Sequence, residues 1–257
     1  MKTICIMNLK GGVGKSVTAI NLSAIFALLH GKRVLLIDAD HQGNTSKFYR
    51  ADQDAATLRE VLLGEAEPCW PENIQHTGYA GLDILPANMG LAELDAAPGL
   101  ADSGAVWRLR ELLVCVAADD AYDFAVIDMP PAFSLSARAA LAAADEVIVP
   151  IKLDAFSIDG MAELLRQIAS MQRVNPGLTL AGVLITMWHN VDVVTQPEAI
   201  LRGGKIPVFS AVIPHTYVVD KSTHEREPLC VYSPRCGAAE GYRRLAREYL
   251  ERGRGNG

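Results

Sequence analysis

The sequence predicts an α/β fold, a doubly wound, mostly parallel sheet flanked by helices in three layers. Three observations predict it. Runs such as Arg33-Val34-Leu35-Leu36-Ile37-Asp38 and Phe124-Ala125-Val126-Ile127-Asp128 are apolar on both faces, as central parallel strands must be. Such runs alternate with longer stretches of helical periodicity, the order that crossover helices impose. The chain has 257 residues, 50% of them hydrophobic, enough for one domain of this class around a large core.

The elements follow in order. A first strand covers residues 3–8. A helix covers 15–29, with Ala19, Leu22, Ile25, Phe26 and Leu29 on one face and Gly31 ending it. The second strand is 33–38. A short helix is expected at 57–63, a loop at 64–81 around Pro68 and Pro71, and a strand at 82–85. Next come a helix at 103–118, a strand at 124–128, a helix at 134–144 and a strand at 146–151. A long helix spans 157–174 and stops at Asn175-Pro176-Gly177. A strand at 180–186, a weakly periodic helix at 195–201, a strand at 208–213 and a last helix at 238–252 complete the series. A single domain over 1–252 is expected, with a disordered tail at 253–257.

Composition excludes several classes. With 24 lysines and arginines against 30 acidic residues, the net charge is −6, so nucleic-acid contact would have to come from a local patch. The five cysteines are odd in number and form no CxxC pair. That argues for free thiols in a reducing compartment and against a disulfide framework or a zinc site. No secretory leader is present, and no apolar stretch approaches the ~20 residues of a spanning helix. A soluble, cytoplasmic protein without membrane association is expected.

Three motifs carry chemistry. Lys10-Gly11-Gly12-Val13-Gly14-Lys15-Ser16 follows a strand and opens a helix, the setting of a phosphate loop. Its glycines let backbone amides face phosphate oxygens, and the helix N-terminus adds a positive field. Lys15 would reach the β- and γ-phosphates, and the Ser16 hydroxyl would ligate magnesium. Val17, one residue into the helix, belongs to the same nucleotide contact. The general pattern G-x-x-x-x-G-K-[ST] would put a glycine at Leu9, which is absent, and a second lysine, Lys10, follows. The second motif is Asp38-Ala39-Asp40-His41-Gln42-Gly43-Asn44, at the carboxyl end of a strand, where ligands of parallel sheets bind. Asp38 and Asp40 share a side if the strand persists that far. The third is Val126-Ile127-Asp128-Met129-Pro130-Pro131. An apolar strand ending in an aspartate reads as the carboxylate that holds magnesium through a water, and the two prolines stiffen the loop after it.

The lysine-containing loop resembles the deviant phosphate loop of the ParA/MinD superfamily. The second motif is similar to that family's D-x-D-P-Q-G-N switch I, with His41 in place of proline, and the third to its D-x-P-P switch II. Ala144-Asp145-Glu146-Val147-Ile148-Val149-Pro150 resembles an A-D-E-V-I-I-P strand, and Gly237-Ala238-Ala239-Glu240-Gly241-Tyr242 the ParA ending K-G-A-E-A-Y. The resemblance implies a ParA/Soj-type partition ATPase that forms a homodimer when bound to ATP and magnesium. Lys10 would reach the partner's nucleotide, Asp38 would help hold magnesium through water, and Asp40 would position the attacking water. Turnover would be slow without a ParB-type adaptor. Val212-Ile213-Pro214-His215-Thr216 matches the frame of the family's V-I-P-R-N adenine segment, so Pro214 is expected against the base, with His215 replacing arginine.

The family also implies nonspecific DNA binding, and with it nucleoid association. Candidate contacts are Arg243, Arg244, Arg247 and Arg252 on the last helix, flanked by Arg235 and Arg254, with Lys221 and Arg226 in the preceding loop. Glutamates interleave with them, and Val218 stands where ParA relatives carry a further arginine. The last helix lacks the broad apolar face of a membrane-targeting helix. Cys230 and Cys236 have the wrong spacing for a CxxC ligand pair. Two other functions remain open: a metabolic ATP-dependent enzyme on the same scaffold, and a nucleotide sensor without turnover.

Overall fold

The computed structural model describes residues 1–65, 73–97, 104–154 and 157–254. The chain begins with β1 (Lys2–Ile6), α1 (Lys15–His30), β2 (Val34–Asp38), α2 (Asn44–Phe48) and α3 (Leu58–Leu63). It continues through β3 (Gln75–His76), β4 (Leu82–Leu85), α4 (Leu91–Leu94), α5 (Ala105–Ala118) and β5 (Phe124–Asp128). Then come α6 (Leu135–Ala143), β6 (Glu146–Lys152), α7 (Ser157–Met171), β7 (Thr179–Trp188) and α8 (Asp192–Gly203). The last elements are β8 (Val208–Pro214), α9 (Tyr217–Glu225), α10 (Leu229–Tyr232) and α11 (Gly237–Arg254).

These strands form one sheet in the order β3-β4-β2-β5-β1-β6-β7-β8. Only the two-residue β3 pairs antiparallel; the other pairings are parallel, as a doubly wound fold requires. Strand periodicity divides the core in two. Ile4 and Ile6 of β1, with Val34 and Leu36 of β2, face α1 and α11. Cys5 of β1, with Leu35 and Ile37 of β2, faces the layer that contains α3, α5, α6 and α7. On α11 the buried residues are Ala238, Ala239, Tyr242, Leu245, Ala246 and Tyr249, the apolar stripe of a helix with one face on a sheet. β1 lies between β5 and β6, so the loop leaving it emerges where the sheet order changes direction, the place where open α/β sheets bind ligands.

The structure departs from the sequence reading in several places. The predicted loop 64–81 holds the edge strand β3, and its Pro68 and Pro71 lie outside the described residues. So does the predicted helix start at Ser103. Four short helices, α2, α4, α9 and α10, were not expected. Their residues are weak helix formers or too few to show a period. α9 is started by tertiary placement and a cap, with the Thr216 side chain accepting from Val218 N–H at 3.3 Å. The tail was expected to be disordered from Gly253, yet Gly253 and Arg254 complete α11; residues 255–257 lie outside the described residues. The last turn is tied down by Arg252, whose guanidinium donates to Ala181 O at 3.0 Å and covers the Phe209 ring at 4.4 Å.

Phe26 is fully buried in α1 and stacks on Phe124 of β5 at 4.7 Å between centroids. Phe26→Ala should therefore cost about 3–5 kcal/mol of stability, read as a lower urea midpoint at unchanged slope.

Candidate phosphate-binding site

The loop between β1 and α1 is held from three directions. Asn8, at its entry, donates through Nδ2 to Pro150 O at 2.7 Å and accepts Lys10 N–H on Oδ1 at 2.9 Å. Thr186 of β7 donates its hydroxyl to Val13 O at 2.8 Å. Gly12 and Gly14 take φ values of 70° and 86°, the left-handed region that side chains disfavour. Gly14 leads directly into α1, and its carbonyl accepts Thr18 N–H at 2.9 Å. The first turn of α1 holds no acidic residue, so its unpaired amides and positive dipole end are kept for an anion.

The two lysines of the loop point differently. Lys15 is buried, and its ammonium donates to Lys10 O at 2.9 Å. Burial pushes its pKa down, while the charges of Asp128 and Asp40 work against the shift. Lys10 is exposed, and its ammonium pairs with Asp154.

The carboxylates gather beside Lys15. Asp38 and Asp128 end β2 and β5 in register, and neither is exposed. Asp38 Oδ2 accepts Ser46 N–H at 2.8 Å and Ser46 Oγ–H at 2.7 Å, and its Oδ1 accepts Asp40 N–H at 3.2 Å. That uses three of roughly four lone-pair sites. Asp128 is less committed. Its Oδ2 accepts the Thr45 hydroxyl at 2.7 Å, while its buried Oδ1 has no hydrogen-bond partner among the described residues. Burial pushes both pKa values up, Asp38 to about 6 and Asp128 to about 7. For Asp128 the neighbouring Asp38 charge adds to the rise, and the hydroxyls of Thr45 and Ser16 oppose it. Asp40 is 6% exposed; its Oδ1 accepts Gln42 N–H at 3.0 Å and lies 3.5 Å from His41 Nδ1.

Lys15, Ser16, Asp40 and Asp128 thus converge, whereas Asp38 is mainly an anchor for the start of α2. The strand does not persist to Asp40, because β2 ends at Asp38. Val17 and Pro214 line one cavity with Gly14, Thr186, His215 and Tyr242. There His215 N–H donates to Trp188 O at 3.1 Å, and its ring lies 4.7 Å from that of His189. On α11, Arg243 and Arg244 both pair with Glu240, and Arg252 pairs with Glu248. The cysteines among the described residues, Cys5, Cys115, Cys230 and Cys236, are free thiols, and Cys69 lies outside them. Among the described residues, no helix is long and apolar enough to cross a membrane.

Sequence reasoning missed Asn8, Thr45, Ser46 and Thr186. Only Asn8, a polar residue closing an apolar strand at the loop's edge, left a local signal. Thr45 and Thr186 act through contacts far away in sequence, and Ser46 through a turn onto Asp38 that no helical period marks.

Both aspartates have folded pKa values above the ordinary carboxylate value, so native protein binds extra protons in that range. Their contribution is full below the ordinary carboxylate pKa, about 4, and is lost progressively as pH rises from there through about 6 to 7. Asp128→Asn removes one buried charge. It should raise the thermal midpoint of nucleotide-free protein by roughly 2–4 °C at pH 8, and by less at pH 5, in scanning fluorimetry.

Known proteins resemble this chain over nearly its whole length. A family model described as an AAA domain matches residues 1–180. The chromosome partitioning protein ParA of Caulobacter vibrioides is 35% identical, across 99% of this chain and 96% of that protein. The chromosome-partitioning ATPase Soj of Thermus thermophilus is 37% identical, across 98% and 96%. Among solved structures, cobyrinic acid a,c-diamide synthase from Mycobacterium smegmatis with bound ATP analog and magnesium superposes with a TM-score of 0.85 at 28% identity, across 100% of this chain and 97% of that one. A family model over residues 1–180 and relatives 35% and 37% identical along almost their whole length identify the lineage: the chain belongs to the ParA/MinD family of P-loop ATPases.

Proposed function

We propose that this chain is a dimerising ATPase switch of the ParA type, which segregates or positions plasmid or chromosomal DNA or another large cargo. The convergence of Lys15, Ser16, Asp40 and Asp128 at a helix N-terminus carries the reading. The groups present suit a magnesium nucleotide. Asp128 keeps a buried oxygen without a hydrogen-bond partner among the described residues, and the Ser16 hydroxyl lies close to its carboxyl group. An oxygen donor set of this kind fits a hard divalent cation. Ser16 and Asp128 would hold the magnesium, with Asp38 contributing through water by its remaining lone pair. Bound there, magnesium would neutralise charge on the triphosphate.

The chain's own groups do the rest. The backbone amides of Gly11, Gly12, Val13 and Gly14, with Lys15, bind the phosphates. Val17 and Pro214 pack against the base. Lys10, exposed at the rim, crosses to the nucleotide of a second copy in an ATP-bound homodimer. Asp40 orients water for in-line attack. None of these groups is a strong base at neutral pH, so turnover is slow until a ParB-type adaptor engages the switch loops. Nonspecific DNA contact through the basic residues of α11, and with it a cytoplasmic, nucleoid-associated location, belongs to the same reading.

A second reading is supported by the likeness to cobyrinic acid a,c-diamide synthase, a metabolic enzyme on this scaffold. An ATPase assay separates the two: stimulation by DNA plus adaptor supports partition, and stimulation by a small-molecule substrate supports the enzyme. Nucleotide binding without turnover under either condition would leave a sensor.

Lys15→Ala should abolish ATP binding in equilibrium titration. Lys10→Ala should keep ATP binding and lose the ATP-dependent dimer in sedimentation. Asp40→Ala should bind ATP and remain dimeric, with hydrolysis lowered by about 10²-fold or more; hydrolysis at the wild-type rate would remove Asp40 from the water-positioning role.

A further inference from the structure

α2 begins on the two buried carboxylates. Its second and third residues, Thr45 and Ser46, have no exposed surface. Each donates to a different acid, Thr45 Oγ1 to Asp128 Oδ2 at 2.7 Å and Ser46 Oγ to Asp38 Oδ2 at 2.7 Å. Ser46 Oγ also accepts Ala87 N–H at 2.9 Å, just beyond β4. Ser46 is therefore fully engaged, and Thr45 is the residue of α2 that reaches Asp128.

This pairing makes the two oxygens of Asp128 unequal. Oδ2 is held, and Oδ1 is buried with no hydrogen-bond partner among the described residues. The terminal torsion of an aspartate is broad when nothing restrains it. A buried hydroxyl bonded to one oxygen narrows it, so the other oxygen keeps one direction. A fixed oxygen is what a carboxylate needs to accept hydrogen bonds from the water shell of a metal ion.

We propose that Thr45 is a positioning residue for the metal-binding carboxylate: its hydroxyl holds Asp128 Oδ2 and thereby presents Oδ1 to the water shell of the nucleotide's magnesium. Through Thr45, the switch segment that carries Asp40 is joined directly to the metal carboxylate. The proposal deepens the magnesium-nucleotide reading and rests on it.

Two variants test it. Thr45→Val keeps the branched shape and removes the donor, and Thr45→Ser keeps the donor and removes the methyl group. The readout is the magnesium concentration at half-saturation, from titration of magnesium chloride into protein holding N-methylanthraniloyl-ADP. Thermal midpoints of the nucleotide-free variants are measured alongside. Thr45→Val should raise the half-saturating magnesium about tenfold or more, with Thr45→Ser close to wild type. A wild-type magnesium requirement in Thr45→Val would overturn the proposal, whatever happens to its thermal midpoint. Equal losses in Thr45→Val and Thr45→Ser would also overturn it, because packing of the methyl group would then be the cause. If Thr45→Val does not fold, Thr45→Ala carries the same titration. Wild-type protein that binds the nucleotide without any response to magnesium would remove the underlying reading, and this proposal with it.

Discussion

Two neighbouring strands, β2 and β5, end in register on aspartates that see no solvent, and the site is arranged around that juxtaposition. Unit charges at the spacing of adjacent strands, about 4.8 Å, repel by on the order of 3 kcal/mol at an effective dielectric near 20. The fold answers with donors. Ser46 supplies a hydroxyl and an amide to Asp38, Thr45 supplies a hydroxyl to Asp128, and the Lys15 ammonium lies near enough for the Asp128 charge to affect it. These donors come from α1 and α2, so the placement of both helices is coupled to the acid pair. The free protein still carries a strained charge balance, seen in the upward push on both carboxyl groups. On the proposed reading, a cation bound beside the pair would relieve that imbalance and couple ligand to conformation.

The phosphate loop has the complementary character. It is assembled from backbone amides, a helix N-terminus and two lysines that differ in environment. Lys15 is committed inward by burial and by its bond to the loop's own carbonyl. Lys10 sits at the rim with Asp154. An exposed ion pair contributes only about 0–1 kcal/mol, so exchanging it for a triphosphate costs little. On the proposed reading the inner lysine would serve the chain's own nucleotide, while the outer one would be energetically cheap to redeploy toward a partner's.

Much of this was legible because strand-end chemistry is local. The loop, the two aspartate motifs and the strands that carry them could be read from short runs, since glycine spacing and buried parallel strands leave signatures within ten residues. What stayed hidden depends on tertiary contact. Asn44-Thr45-Ser46-Lys47-Phe48 has no helical period and weak propensity, yet forms a helix because buried carboxylates wait at its start. Thr186 supports the loop from 173 residues away along the chain, and no local pattern marks it. Asp38 shows another side of the same limit: no local pattern announced that its oxygens also accept from Ser46 and Asp40 N–H.

The last helix shows why counting charges along a sequence overstates a surface. Its arginines read as a basic patch on a chain of net charge −6. In the fold they divide by role. Arg252 binds Glu248 and Ala181 O and covers Phe209, so withdrawing it would loosen the end of the helix. Arg243 and Arg244 share the single carboxylate of Glu240, which leaves one positive charge in excess there. Exposed pairs of this kind open at small cost, and a phosphate backbone repays the opening by releasing its counterions. DNA contact through this helix would therefore draw on Arg243, Arg244 and the exposed Arg247 while Arg252 keeps its structural post. Three such arginines per subunit make a modest footprint, which a face-to-face dimer would double, so dimerisation and DNA affinity would rise together for electrostatic reasons alone.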